Sequence, residues 1–209
     1  MEGFDATLEK LAMKMHSYST DSNEKKYIPP IIASISVILT WLLNKLFGSL
    51  PWFIESPSVM GFYGILHFLI EKYLLGMTFL RNMRLIKIPD LNGKWIGHLV
   101  SSYDGHINKY DATMGIYQNW SKISIQLTTQ KSKSYSVSAN IIVEDQNPIV
   151  ISYEYINEPV TGSSSTMHTH RGTVRMFFNT ESQIFEGDYY SGRDRQNIGT
   201  LNFSREKEE

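Results

Sequence analysis

The chain has 209 residues, a formal net charge of −1, 12% aromatic residues and no cysteine. That length suits one ordinary domain plus an appendage, and the balanced charge excludes a nucleic-acid-coating or strongly acidic role. The lack of cysteine excludes a disulfide framework, a thiolate zinc site and a cysteine nucleophile, and it fits a reducing cytoplasm. The aromatic content suits β-strands or membrane interfaces. The first segment, MEGFDATLEKLAMKMHSYSTDSNEKK, is polar and charged, so no cleavable signal peptide is expected. Its apolar residues Phe4, Leu8, Leu11 and Met15 recur at helical spacing. Residues 1–27 therefore read as a cytoplasmic segment, either a short amphipathic helix or a solvated tail.

Next comes IPPIIASISVILTWLLNKLF, Ile28 to Phe47, about the length that crosses a hydrocarbon core of roughly 30 Å. Only Asn44 and Lys45 interrupt it, near one end, where a lysine can snorkel. Pro29 and Pro30 are expected in the first turn, where a missing N–H costs little. A turn, GSLPWFIESP, offers Trp52 and Phe53 as interfacial anchors. The second apolar stretch, residues 58–80, carries Glu71 and Lys72. These either lie at the interface or face protein within the membrane, where ionisable groups mark assembly or function. Gly61 and Gly64 would permit close helix contact. Lys25 and Lys26 precede the first span, and Arg81, Arg84 and Lys87 follow the second. The positive-inside rule then places both termini in the cytoplasm. Residues 28–80 read as two transmembrane helices and 81–90 as a linker. A buried helical hairpin of a soluble protein is the alternative.

After Pro89 helical periodicity gives way to short alternating segments. Eight strands are predicted: Lys94–Ser101, Ala112–Trp120, Lys122–Thr129, Tyr135–Val143, Ile149–Asn157, Met167–Phe178, Ile184–Tyr190 and Ile198–Ser204. The breaks between them are rich in Gly, Asn, Asp, Ser and Pro, the residues turns use. Residues 91–209 are thus expected to form an eight-stranded antiparallel up-and-down barrel, with a β-sandwich as the alternative. The opening IPDLNGKWIGHLVSSYDG resembles the start of a lipocalin barrel, in which Gly93 begins the first strand and Trp95 packs the base. Ile123, Ile125 and Leu127 share one strand face and Ser124, Gln126 and Thr128 the other. Tyr135, Val137, Ala139 and Ile141 likewise oppose Ser134, Ser136, Ser138 and Asn140. Alternation does not say which face points inward.

MHTHRGTVRM puts His168 and His170 on one strand face, with Arg171, Thr173 and Arg175 on the other. Two histidines can share a metal, but no third ligand is indicated, so no metal is expected and a metal-dependent hydrolase is the weaker rival. EGDYYSGRDRQNIGTL is the densest polar segment, with Glu186, Asp188 and Tyr190 alternating and Arg193 and Arg195 following around a turn. Arginine forks suit phosphate or carboxylate oxygens and tyrosine faces suit nucleobases. The same arginines could instead pair with Glu186, Asp188 or Asp194. TGSSST reads as a flexible loop, and no P-loop, nucleophile elbow or HExxH is present.

The order of a polar N-terminus, two spans and a compact barrel resembles the two-transmembrane, β-strand-rich effectors of bacterial cyclic-oligonucleotide anti-phage signalling (CBASS). The residues that carry it are PWFIESPSVMGFYG, IPDLNGKW, QNWSKISIQLTTQKSKSYS and GDYYSGRDRQNIGTL. The resemblance implies a non-enzymatic inner-membrane effector. A nucleotidyltransferase partner would make a cyclic dinucleotide, the barrel would bind it, and homo-oligomerisation would drive the spans to disrupt membrane lipid and kill the infected cell. DNA, RNA and a cofactor have no part in it. For such a ligand the residues offer Arg171, Arg193 and Arg195 to phosphate. Tyr153, Tyr190 and Trp120 would serve bases, and Thr128, Thr129, Ser132 and Ser134 supply hydroxyls. A membrane-tethered lipocalin-like carrier of an apolar molecule is the rival.

Overall fold

The computed structural model describes residues 15–48, 51–77, 79–80, 85–144, 148–160, 168–192 and 195–206, with backbone alone for 52–56. The chain divides into two compact units: the stretch up to Asp21 joined with Ile88–Glu209, and Ser22–Lys87.

The first unit is a closed barrel of nine strands. They are β1 (His16–Thr20), β2 (Gly93–Ser101), β3 (Lys109–Gln118), β4 (Lys122–Thr129), β5 (Ser132–Ile142), β6 (Ile149–Pro159), β7 (His170–Asn179), β8 (Ile184–Ser191) and β9 (Ile198–Arg205). Their order around the barrel is β1-β4-β3-β2-β9-β8-β7-β6-β5. The eight predicted strands correspond to β2–β9, but the all-antiparallel, eight-stranded expectation is corrected. β1 pairs antiparallel with β4 and parallel with β5. The reason lies in β4 and β5, which pair directly only from Gln126–Tyr135 to Thr128–Lys133 beside their turn. Beyond it β5 bulges between Ser136 and Ser138, and the two strands part. Backbone groups on the parted edges need partners, and β1 supplies them.

Side chains fix β1 in place. The Tyr18 hydroxyl donates to the Trp120 carbonyl (2.9 Å), and His16 Nε2 lies 2.8 Å from Ser136 Oγ. The Asp21 carboxylate accepts from the backbone N–H groups of Val143 and Glu144. So part of the expected N-terminal tail is a barrel strand. HSYST has a single buried apolar residue, Tyr18, too few to show a period of two. The helical reading of Phe4, Leu8 and Leu11 lies outside the described residues, as does the TGSSST loop.

In the second unit α1 spans Glu24–Phe47 and α2 Trp52–Tyr73, followed by a 3₁₀ turn at Leu74–Gly76. α1 starts four residues before Ile28, since Glu24 in the first turn favours the positive helix end. Pro29 and Pro30 consequently lie inside the helix. α2 starts before Ser58 and absorbs much of the expected turn, with Pro57 inside it. Among the described residues α1 alone is long and apolar enough to cross a membrane, where two such helices were expected. The helices pack on each other. Ile32, Ser36 and Thr40 form the buried stripe of α1, and the two hydroxyls donate to the carbonyls of Ile32 (2.7 Å) and Ser36 (3.0 Å). Those bonds satisfy polar groups that burial would otherwise penalise. Gly61 and Gly64 face open space instead of a helix contact. Glu71 and Lys72 close the last turns of α2, and the Lys72 ammonium sits 5.2 Å from the Tyr73 ring centre. Arg81 and Arg84 lie outside the described residues.

Candidate functional site

Inward-facing side chains change character along the barrel axis. At one end they are large and apolar. Trp95, Phe178, Phe185 and Phe203 are fully buried there with Met114, Ile116, Ile123 and Ile125. Trp95 donates its Nε1–H to the Leu91 carbonyl (3.1 Å) and meets Phe185 and Phe178 edge-on at 4.5 and 5.7 Å. The Arg205 guanidinium covers its face at 4.6 Å. Gly93 opens the strand with φ of 130°, a region open to glycine.

Toward the other end the same faces turn small and polar. β6 runs from Ile149 and Ile151 to Tyr153, Tyr155 and Asn157, and β7 from Phe178 and Met176 to Val174 and His170. β5 runs from Ile141 and Ala139 to Ser136, Ser134 and Ser132, because the bulge brings both of its alternating sets indoors. There the interior is hollow. A cavity of about 390 Å³ opens among Ser101, Thr129, Ser132, Ser134, Tyr153, Tyr155, Asn157, His170, Tyr189 and Ser191, with Lys109, Lys131, Asp111, Tyr103 and Arg195 among its further lining residues. The volume falls in the range of small-molecule sites, roughly 300–1,000 Å³.

Three tyrosines dominate this wall. Burial pushes the Tyr153 phenol well above its ordinary value. Burial also raises Tyr155, partly offset by a hydrogen bond with Ser191, whose Oγ lies 3.4 Å from the Tyr155 hydroxyl. Tyr189 is raised by burial, against a hydrogen bond with Ser101 and the charge of Arg195. All three therefore stay neutral at physiological pH and can donate or accept. Glycines make room for two of them. A Cβ on Gly172 would lie 2.4 Å from the Tyr155 hydroxyl, and one on Gly199 would lie 2.3 Å from the Tyr189 ring. These residues are direct cross-strand partners, so each ring lies over the glycine facing it. Gly199→Val is expected to cost about 2 kcal/mol or more by overpacking, read as a lower midpoint in urea followed by circular dichroism. A change under about 0.5 kcal/mol, the size of an ordinary surface substitution, would show that the ring does not need that space.

The cavity unites five of the predicted residues: Thr129, Ser132, Ser134, Tyr153 and Arg195. Thr129 and Ser132 also hold the β4–β5 turn, with Ser132 N–H donating to Thr129 Oγ1 at 3.0 Å. The Arg195 guanidinium lies 5.5 Å from the Tyr103 ring centre. Arg171 and Tyr190 sit on the outer face, at exposed positions of β7 and β8. Arg193 lies outside the described residues. Trp120 is buried away from the cavity, its carbonyl occupied by Tyr18, and Thr128 faces outward beside Gln126 (3.3 Å). Sequence reasoning missed Tyr155, Asn157 and Tyr189, and considered His170 only as a metal ligand. The signal was present in Tyr153-x-Tyr155-x-Asn157, three polar-headed residues on the face that carries Ile149 and Ile151.

His168 is exposed while His170 is buried, and the His170 Nδ1 lies 3.0 Å from the His168 carbonyl oxygen. Among the described residues no three His, Asp or Glu side chains gather as a group able to hold a metal ion. The arrangement suits recognition: neutral hydroxyls and an amide inside, three cations and one carboxylate at lining positions toward solvent.

Known proteins are similar to this chain in sequence. The family model described as Cap15, cyclic dinucleotide receptor domain, matches residues 86–205, the stretch that contains β2–β9 and every cavity residue. The CD-NTase-associated protein 15 of Yersinia aleksiciae is 30% identical over 213 residues, covering 92% of this chain and 98% of the relative. Its namesake in Escherichia albertii is 24% identical over 182 residues, covering 84% of this chain and 92% of that one.

Proposed function

The chain belongs to the Cap15 family of cyclic dinucleotide receptors, and from that premise we propose that the hollow end of the barrel binds a cyclic dinucleotide and signals its presence as a CBASS effector. The observation that carries the reading is the cavity, whose tyrosine hydroxyls and rings suit ribose and base while Lys109, Lys131 and Arg195 suit phosphate. A carrier of apolar molecules would leave those buried hydroxyls and the Asn157 amide without partners, at a cost. The messenger would come from a cyclic-dinucleotide synthase, and the role is non-catalytic.

The output is proposed to be membrane disruption. Most of the apolar residues of α1 are exposed, among them Ile31, Ile35, Val37, Ile38, Trp41, Leu42, Leu46 and Phe47, a surface that suits lipid. β1 adds a topological argument. It precedes α1, yet it closes the same barrel as β2–β9. Whatever path residues 22–87 take, they must leave and return on one side of the bilayer. An even number of crossings supports a hairpin of α1 and α2 with both termini cytoplasmic, and homo-oligomerisation on ligand binding would gather such hairpins in the inner membrane.

Calorimetric titration of the full chain in detergent with a panel of cyclic dinucleotides tests the binding step. Micromolar or tighter binding to at least one is expected, and it should weaken as salt rises. Arg195→Ala should lower affinity about ten- to a hundred-fold, the worth of a charged hydrogen bond. No binding by any member of the panel overturns the reading.

A further inference from the structure

We infer that Asn157 and His170 act together as a base reader, selecting a base with an exocyclic amino group, adenine above all, over a keto base such as guanine. The inference rests on the proposed binding of a cyclic dinucleotide in the cavity and names the chemistry that would choose among such ligands. The two residues are direct partners across β6 and β7, and both line the cavity. Asn157 is 8% exposed and His170 7%. Cross-strand partners have Cβ atoms about 5 Å apart, close enough to meet one planar ring.

Their hydrogen-bonding roles follow from what they already touch. Among the described residues the Asn157 side chain makes no hydrogen bond, so its carbonyl acceptor and amino donor are both available to a ligand. His170 Nδ1 faces the His168 carbonyl oxygen at 3.0 Å. A carbonyl can only accept, so Nδ1 carries the proton, and in the neutral ring Nε2 is an acceptor. The ring is braced edge-on against Tyr155, centroids 6.3 Å apart at 79°, which limits its rotation. The pair thus presents two acceptors and one donor. An adenine amino group has two hydrogens for the acceptors, and the adjacent ring nitrogen accepts from the amide. Guanine places a carbonyl oxygen where the amino group would be; the Asn157 amide can turn to donate to it, but while that amide holds the base edge in place the oxygen still meets the fixed acceptor His170 Nε2.

The test uses the full chain in detergent and two ligands of identical linkage, 3′,3′-cyclic di-AMP and 3′,3′-cyclic di-GMP, titrated by calorimetry. The di-adenine ligand is expected to bind about ten- to a hundred-fold tighter, the discrimination typical of a bidentate base contact. Asn157→Ala and His170→Ala should each collapse that ratio to within about three-fold, with circular dichroism confirming the fold. Should either alanine variant misfold, Asn157→Asp, which keeps the shape but removes the donor, must narrow the ratio as well. Equal affinities in the unaltered chain, a preference for di-GMP, or variants that weaken both ligands in proportion would overturn the inference while leaving dinucleotide binding intact. Absence of binding to any cyclic dinucleotide would overturn the binding reading and the base reader with it.

Discussion

Trp95→Ala is expected to lower the unfolding free energy of the barrel by about 3–5 kcal/mol, the range for removing a large aromatic from a packed core. The indole is fully buried and contacts three structural groups at once. Its edge faces Phe185 and Phe178, its N–H satisfies the Leu91 carbonyl, and its face is covered by Arg205. Truncation would leave a cavity among rings that cannot collapse into it and orphan a buried carbonyl. Trp95→Phe keeps one aromatic ring and loses the N–H and part of the indole's volume, so it should cost distinctly less than alanine. Chemical denaturation of the full chain in detergent, followed through the β-sheet circular dichroism, measures both. A Trp95→Ala loss under about 1 kcal/mol, a net hydrogen bond's worth, would show that this end of the barrel is not the packed one.

Ser134→Trp is expected to do the reverse: abolish ligand binding and spare the fold. Ser134 lines the cavity, opposite Leu127 on β4 and Asn157 on β5's other neighbour, β6. An indole there would project into about 390 Å³ of space instead of a close-packed core, so the overpacking penalty of about 1–3 kcal/mol should largely be escaped. Affinity for the best dinucleotide should fall more than about a hundred-fold, since the space that encloses a ligand is what gives such pockets their affinity. Thermal midpoints of the variant and the parent should agree closely. Undiminished affinity would place the ligand elsewhere on the molecule. The same change at Ala139, on the packed stretch of the same strand, should unfold the barrel.

Much of the fold was legible in the residues. Alternation and turn chemistry located β2–β9 to within three residues at each end, because each strand has one face against a barrel interior and turns demand Gly, Asn and Pro. Three features were not. β1 has a single buried apolar residue, and its neighbours in the barrel are remote in sequence, so no local period reveals it. The bulge in β5 changes which residues face inward halfway along, defeating any rule that assigns one alternating set to one face. The start of α1 lies earlier than two prolines at a helix opening suggest, because Glu24, four residues before Ile28, is the effective signal.

The site was less legible, for a related reason. Arginines and an exposed tyrosine drew attention as side chains suited to anions and bases, but Arg171 and Tyr190 alternate outward while their neighbours His170 and Tyr189 turn in. Chemistry named the residue types; strand phase decided which were usable. Glycines at Gly172 and Gly199 were the clue to phase, since a cross-strand glycine frees space over which a facing ring can lie.

The closing strand also sets an order of events during synthesis. His16 and Ser136, which meet in the finished barrel, are 120 residues apart in the chain. β1 leaves the ribosome before them and must wait for α1, α2 and β2–β4 before it has a first partner, and for β5 before it has both. An apolar helix follows it immediately, with three residues between Thr20 and Glu24, so if α1 enters the bilayer as proposed, it does so while β1 is still unpaired. Barrel closure is therefore a late step of high contact order, which makes it slow. Until it occurs the β4 and β5 edges remain open to pairing with another chain. The nascent protein passes through a state in which a second copy's N-terminal segment could complete the barrel as well as its own, which makes strand exchange between copies the characteristic misassembly of this architecture.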